Sequence, residues 1–164
     1  MYYTLTNEAP MTDYTPLGVA IDALFLANSA EIPPNGLVYV MGGAWSRCWP
    51  PPDLDYPYQR PIHTVAIFRV PWHETNSQHA FKISVEDEDN RSLSSGEGSF
   101  KAGRQPDLTD GASQVVVVVL PLVATLEKPG IYSVSAEIDG HPVKRIQFEA
   151  LLDPSKQTGL ARPR

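Results

Sequence analysis

From Tyr132 onward the chain alternates. Tyr132, Val134, Ala136 and Ile138 are apolar, while Ser133, Ser135, Glu137 and Asp139 are polar. A period of two is the mark of a strand with one face on a core and the other in water. Asp139-Gly140 supplies the turn, because glycine takes positive φ freely and aspartate tolerates it. The return strand carries Ile146, Phe148 and Ala150 inward and Arg145, Gln147 and Glu149 outward. A simple two-residue register would set Arg145 against the inward Val134. The pattern therefore predicts a bulge or a three-residue loop between His141 and Lys144.

Earlier segments follow the same logic. Leu17 to Ile32 is apolar and carries Val19 and Ile21, which favours a strand over about 19–27. Pro33-Pro34-Asn35-Gly36 excludes a helix interior and predicts a turn, with a second strand over 36–42. His63 to Val70 is apolar on both faces and suits a central strand, and His79 to Glu86 completes a hairpin with it. Between Asp87 and Gln114 the chain is polar and rich in Gly and Ser, predicting loops with one short edge strand near Gly98 to Ala102. Val115 to Leu120, five valines and a leucine, predicts a strand buried on both faces. Left at a sheet edge such a run would invite aggregation, so a neighbour is expected to pair with it.

These elements predict an all-β chain: a single Greek-key β-sandwich of about seven to eight strands, immunoglobulin-like. The sandwich is expected over 18–152, between a flexible arm at 1–17 and a flexible tail at 153–164. Leu126 and the run Pro129-Gly130-Ile131-Tyr132 resemble the corner that closes immunoglobulin-like sandwiches, where a tyrosine hydroxyl returns to backbone a few residues upstream. Val134 stands where antibody domains carry a cysteine, so the resemblance is one of architecture.

Composition narrows the function classes. At 164 residues the chain can bury roughly 70% of its unfolded surface without staples. One cysteine, Cys48, leaves no internal disulfide, and the opening MYYTLTNEAPMTDY lacks a signal-peptide layout, so a cytoplasmic protein is expected. No apolar run reaches the roughly 18 to 20 residues of a membrane span. A net charge of −6 argues against nucleic acid as a partner.

Chemistry is sparse. His73-Glu74 with His79 lacks the i, i+4 spacing of a helical zinc motif, and a metal site at His63, His73 and His79 would need neighbouring strand ends to converge. Asp87 and Asp89 lack the Gly and terminal Glu of a calcium loop. Cys48 has Arg47 beside it but no adjacent base. No catalytic residue, metal ligand or cofactor is expected.

The unusual stretch is Gly42 to Pro52, with two glycines, Trp45 and Trp49 four apart, and a polyproline exit. It leads into a long loop through Tyr56, Pro57 and Tyr58 to Pro61. In one reading Trp45 packs under the sandwich edge and Trp49 stacks on a proline. In the other, Trp45, Arg47, Trp49, Tyr56, Tyr58 and Trp72 form an aromatic surface that grips a partner, since Trp and Arg dominate interface hot spots.

Three blocks, LFLANSAEIPPNGLVYVMGGAWSRCW, VAIFRVPWHETNSQHAFKISVEDEDN and LEKPGIYSVSAEIDGHPVKRIQFEAL, resemble a family of small uncharacterised bacterial proteins. The resemblance implies a β-sandwich and transfers no functional residue. The function expected first is a non-enzymatic interaction module or a subunit of a larger assembly, bound to another protein or to itself. The alternatives are a small-ligand or carbohydrate-binding sandwich using its tryptophans, and a metal-assisted enzyme.

Overall fold

The structure is a computed structural model that describes residues 18–104, 106–107 and 109–153. The arm expected at 1–17 and all but the first residue of the tail expected at 153–164 lie outside these. Nine strands follow one another: β1 (Ala20–Glu31), β2 (Tyr39–Gly43), β3 (Arg47–Cys48), β4 (Tyr58–Val70), β5 (Gln78–Glu86), β6 (Ser92–Lys101), β7 (Gln114–Leu126), β8 (Gly130–Ile138) and β9 (His141–Ala150). A single 3₁₀ turn covers Trp72–Glu74 among the described residues. No helix among them is long and apolar enough to cross a membrane.

The strands form two packed sheets, β2-β1-β4-β7 and β3-β9-β8-β5-β6. The chain crosses between them after β2, β3, β4, β6 and β7, which is the Greek-key connectivity of an immunoglobulin-like sandwich. Leu26, Ile62 and Phe68 from the first sheet meet Ile83, Val134 and Phe148 from the second in the main core. A smaller apolar cluster lies on the outer face of the first sheet, where Phe25, Val117 and Val119 cover Ala27 and Val65.

The terminal hairpin follows its pattern. Asp139 and Gly140 take positive φ, 49° and 79°, and the register slips by one residue where Ala136 faces Lys144 but Glu137 faces Pro142. That slip is the bulge the apolar phase requires. The corner forms too: the Tyr132 hydroxyl donates to the Lys128 carbonyl at 2.7 Å, and Val134 beyond it is fully buried.

Four expectations need correction. His63 to Val70 and His79 to Glu86 do not form a hairpin: β4 pairs with β1 and β7 in the first sheet and β5 with β6 and β8 in the second, so the turn at Trp72–Glu74 crosses the sandwich. β4 starts at Tyr58 rather than His63, so the long proline loop is shorter and Pro61 sits inside a strand. β6 spans ten residues where a short strand was expected. Val115 to Leu120 is not buried on both faces, Val115 being 61% exposed, and among the described residues β7 is the edge of its sheet, paired with β4 alone. A run of valines specifies a strand, and topology alone decides whether it has one neighbour or two.

Candidate functional site

The Gly42 to Trp49 stretch makes the crossing from the first sheet to the second. Gly42 has φ 59° and Ala44 φ 60°. At Gly42 a Cβ would lie 2.4 Å from Asn28 Nδ2, so any side chain there would displace the Asn28 amide as well as strain the backbone. The Ala44 N–H donates to Leu26 O on β1 at 2.7 Å, which fixes the departure of the chain from β2. Beyond it the backbone N–H of Glu149 donates to Ser46 O and that of Leu151 to Cys48 O, both at 2.9 Å. β3 is thereby laid parallel to β9.

This crossing sorts the aromatic residues. Trp45 turns in and meets Phe148 edge-on, ring centroids 5.5 Å apart, as the packing reading expected. The Arg60 guanidinium lies 5.1 Å from the Trp45 ring centroid and also reaches Asn28 Oδ1 at 3.4 Å. Trp49 stays 46% exposed, beside Arg47, whose guanidinium is 3.7 Å from Glu149. Asn28, Trp45, Arg47, Trp49 and Arg60 line a shallow depression of about 350 Å³. Trp45 Nε1 and Arg60 Nε are buried donors that meet no acceptor among the described residues.

The remaining sequence candidates are placed differently. Tyr58 is 4% exposed and belongs to the core, with its hydroxyl 3.8 Å from Cys48 Sγ. Tyr56 is half-buried and donates to Leu151 O at 2.9 Å. Burial raises the pKa of the Cys48 thiol above its ordinary value, more than the Tyr58 hydrogen bond and Arg60 lower it, which suits an inert buried cysteine. Trp72 lies in the 3₁₀ turn between β4 and β5, with the Arg104 guanidinium 4.4 Å over its ring. The structure therefore joins Trp45, Arg47 and Trp49 and leaves Trp72 out.

Residues with no sequence signal also enter. Arg60 and Asn28 join the depression by pairing of distant strands. β2, the edge of the first sheet as β3 is of the second, adds Tyr39, 50% exposed, and Met41, 69% exposed. The continuous apolar run from Leu37 to Met41 hid them, because it reads as a buried strand.

The histidines do not converge. His79 is buried between Asp139, 2.8 Å from Nδ1, and the Glu74 carbonyl, 3.3 Å from Nε2. His73 lies 3.8 Å from the Glu74 carboxylate, while His63 lies on the outer face of β4 opposite Ala27. No group of three or more metal-ligating side chains occurs among the described residues. Asp87 Oδ1 accepts the N–H groups of Asp89 and Arg91, at 3.0 and 2.9 Å, so it closes its own turn.

Solved structures similar to this chain are large enzymes matched in part. A glycosyl hydrolase family 2 member from Bacteroides cellulosilyticus DSM 14838 is 9% identical with a TM-score of 0.41, over 59% of this chain and 13% of that one. A beta-glucuronidase from glycoside hydrolase family 2 is 10% identical with a TM-score of 0.39, over 82% of this chain and 11% of that one. Likeness at that level carries no argument about what this chain does. No curated protein matches it in sequence. Residues 22–151 match the model of a family of unknown function (DUF6941), and the chain belongs to that family.

Proposed function

We propose that the chain is a non-enzymatic protein-interaction module, a subunit of a larger assembly, whose contact surface is the β2–β3 side of the sandwich. One observation carries the reading: Tyr39 and Met41 on β2 and Trp49 just after β3 are all large, apolar and about half exposed or more, with Arg47 on β3. Scattered apolar residues are ordinary on a protein surface, whereas a run of them rimmed by polar groups marks a contact site. Trp and Arg are also the residues most often found at interface hot spots.

The double variant Trp49→Ala, Arg47→Glu should lose the stoichiometric partner recovered with the wild-type chain from its source cell, with an unchanged circular dichroism spectrum. Trp72→Ala, on the turn beyond β4, should leave recovery intact. Undiminished recovery by the double variant would sink the reading.

A second reading rests on the two buried donors. Trp45 Nε1 and Arg60 Nε meet no acceptor among the described residues, and a small ligand or carbohydrate bearing oxygen acceptors would supply them while stacking on Trp49. Tryptophan emission during a glycan and metabolite screen separates the two readings, since a ligand shifts emission with no protein partner present.

A further inference from the structure

We propose that a second copy of this chain pairs with the open edge of β7, antiparallel and centred on Val117, joining the two four-stranded sheets into one. This inference does not rest on the aromatic surface, which lies across the sheet at β2.

An open strand edge is a template for another strand, and proteins blunt it with charge, bulges or short length. Three of the four edges here are blunted. β3 has two residues and β2 has five, while β6 carries Glu97 and Lys101. β7 differs: over 13 residues it bears no charged side chain, and its register with β4 runs without a bulge from Gln114 to Leu126.

The geometry sets the pairing. Leu120 turns its carbonyl toward β4, where it accepts the Thr64 hydroxyl at 3.0 Å. In an antiparallel strand the N–H and C=O of one residue point to the same side, and the side alternates. Val115, Val117 and Val119 therefore aim both groups at the open side. Pro121, next in that series, has no N–H to give and interrupts the open ladder, setting Val115 to Val119 apart from Val123 and Thr125.

That stretch is symmetric about Val117. A two-fold axis there sets Val115 of each copy against Val119 of the other, and each facing pair exchanges both N–H···O bonds. No charged residue lies between Val115 and Val119, so two chains of net charge −6 approach without like charges meeting in the ladder. Valine meets valine on the outer face, and Val115, the most exposed of them, is covered. A strand from another protein would match the hydrogen bonds but not this symmetry.

The test is sedimentation velocity of the full chain over a dilution series, with three variants. The wild-type chain should shift from dimer to monomer on dilution. Val115→Lys, at an exposed position, should stay monomeric throughout while keeping its circular dichroism spectrum and the melting temperature of the wild-type chain at monomer-forming dilution. Val117→Cys should give a disulfide-linked dimer on mild oxidation, because facing Cα atoms about 5.5 Å apart lie within disulfide range. Val115→Cys, facing Val119, should cross-link far less, and the buried Cys48 stays out of the reaction.

A wild-type chain that is monomeric at every concentration would overturn the proposal. So would a dimer indifferent to Val115→Lys, or equal cross-linking by the two cysteine variants. Hydrogen exchange covers the remaining occupant: slow exchange at Val115, Val117 and Val119 in a monomer would mean that the chain covers its own edge, which also overturns it.

Discussion

His79 is the one buried histidine, 4% exposed. Burial alone would lower its pKa, but the hydrogen bond to Asp139 and then the one to the Glu74 carbonyl outweigh burial and raise it. Both ring nitrogens face acceptors, so the doubly protonated imidazolium satisfies both and the neutral ring only one. Asp139 responds in the opposite sense, held below the ordinary carboxylate range first by His79 and also by the Ala80 N–H. The His79 contribution is complete below about pH 6.5 and fades as pH rises through its raised folded value. The Asp139 contribution is present above about pH 4 and is lost as pH falls through its lowered value. Asp139→Asn keeps a residue that tolerates the φ of 49° and removes the charge. It should cost about 1–2 kcal/mol between those limits, with the difference from wild type narrowing above neutrality in thermal melts. A difference that does not change with pH would show that the pair is not ionised. Legibility at this scale followed sequence distance. The Tyr132 bond to Lys128 spans four residues and its corner was readable, whereas Asp139 lies 60 residues from His79 and no local pattern announced it.

Alternation made β4, β5, β8 and β9 legible as elements, and it failed where glycine replaced side chains. β6 has Gly96 and Gly98 among serines, a composition that reads as loop. The structure uses Gly98 as space, because the Phe81 ring lies across it. A Cβ there would sit 2.8 Å from Phe81 Cζ and 2.9 Å from Cε1. That ring cannot swing away cheaply, since it is stacked on Phe100 with centroids 6.3 Å apart and packs near Phe68 at 6.1 Å. Gly98→Val should therefore destabilise the sandwich by about 1–3 kcal/mol, although valine is the better strand former. Gly103→Ala, where a Cβ would meet nothing within 4 Å, should leave the urea midpoint in place. An unchanged midpoint for Gly98→Val would mean that the ring moves aside and that the glycine serves no packing role. β7 failed for a different reason: periodicity reports how many faces of a strand are apolar, and the number of neighbours belongs to the sheet.

At the scale of the molecule, the first sheet carries two surfaces at its opposite edges, β2 with the aromatic side and β7 with the valine edge. β1 and β4 lie between them, so a substitution at one edge touches no residue of the other, and distant sites act independently. A β7-paired dimer would hold its two aromatic surfaces at the far ends of a joined sheet. Such a dimer engages a multivalent partner at two points, and the second contact forms at high effective concentration. Trp49→Ala should thus leave the dilution behaviour of the chain unchanged while weakening partner capture. Val115→Lys should leave the affinity of a single aromatic surface for a soluble partner unchanged, yet weaken retention on a surface densely coated with it by on the order of tenfold or more. Biosensor measurements at low and high coating density distinguish these effects. If Val115→Lys lowered binding equally at both densities, the two edges would be one interface, and the aromatic side would act only in the dimer.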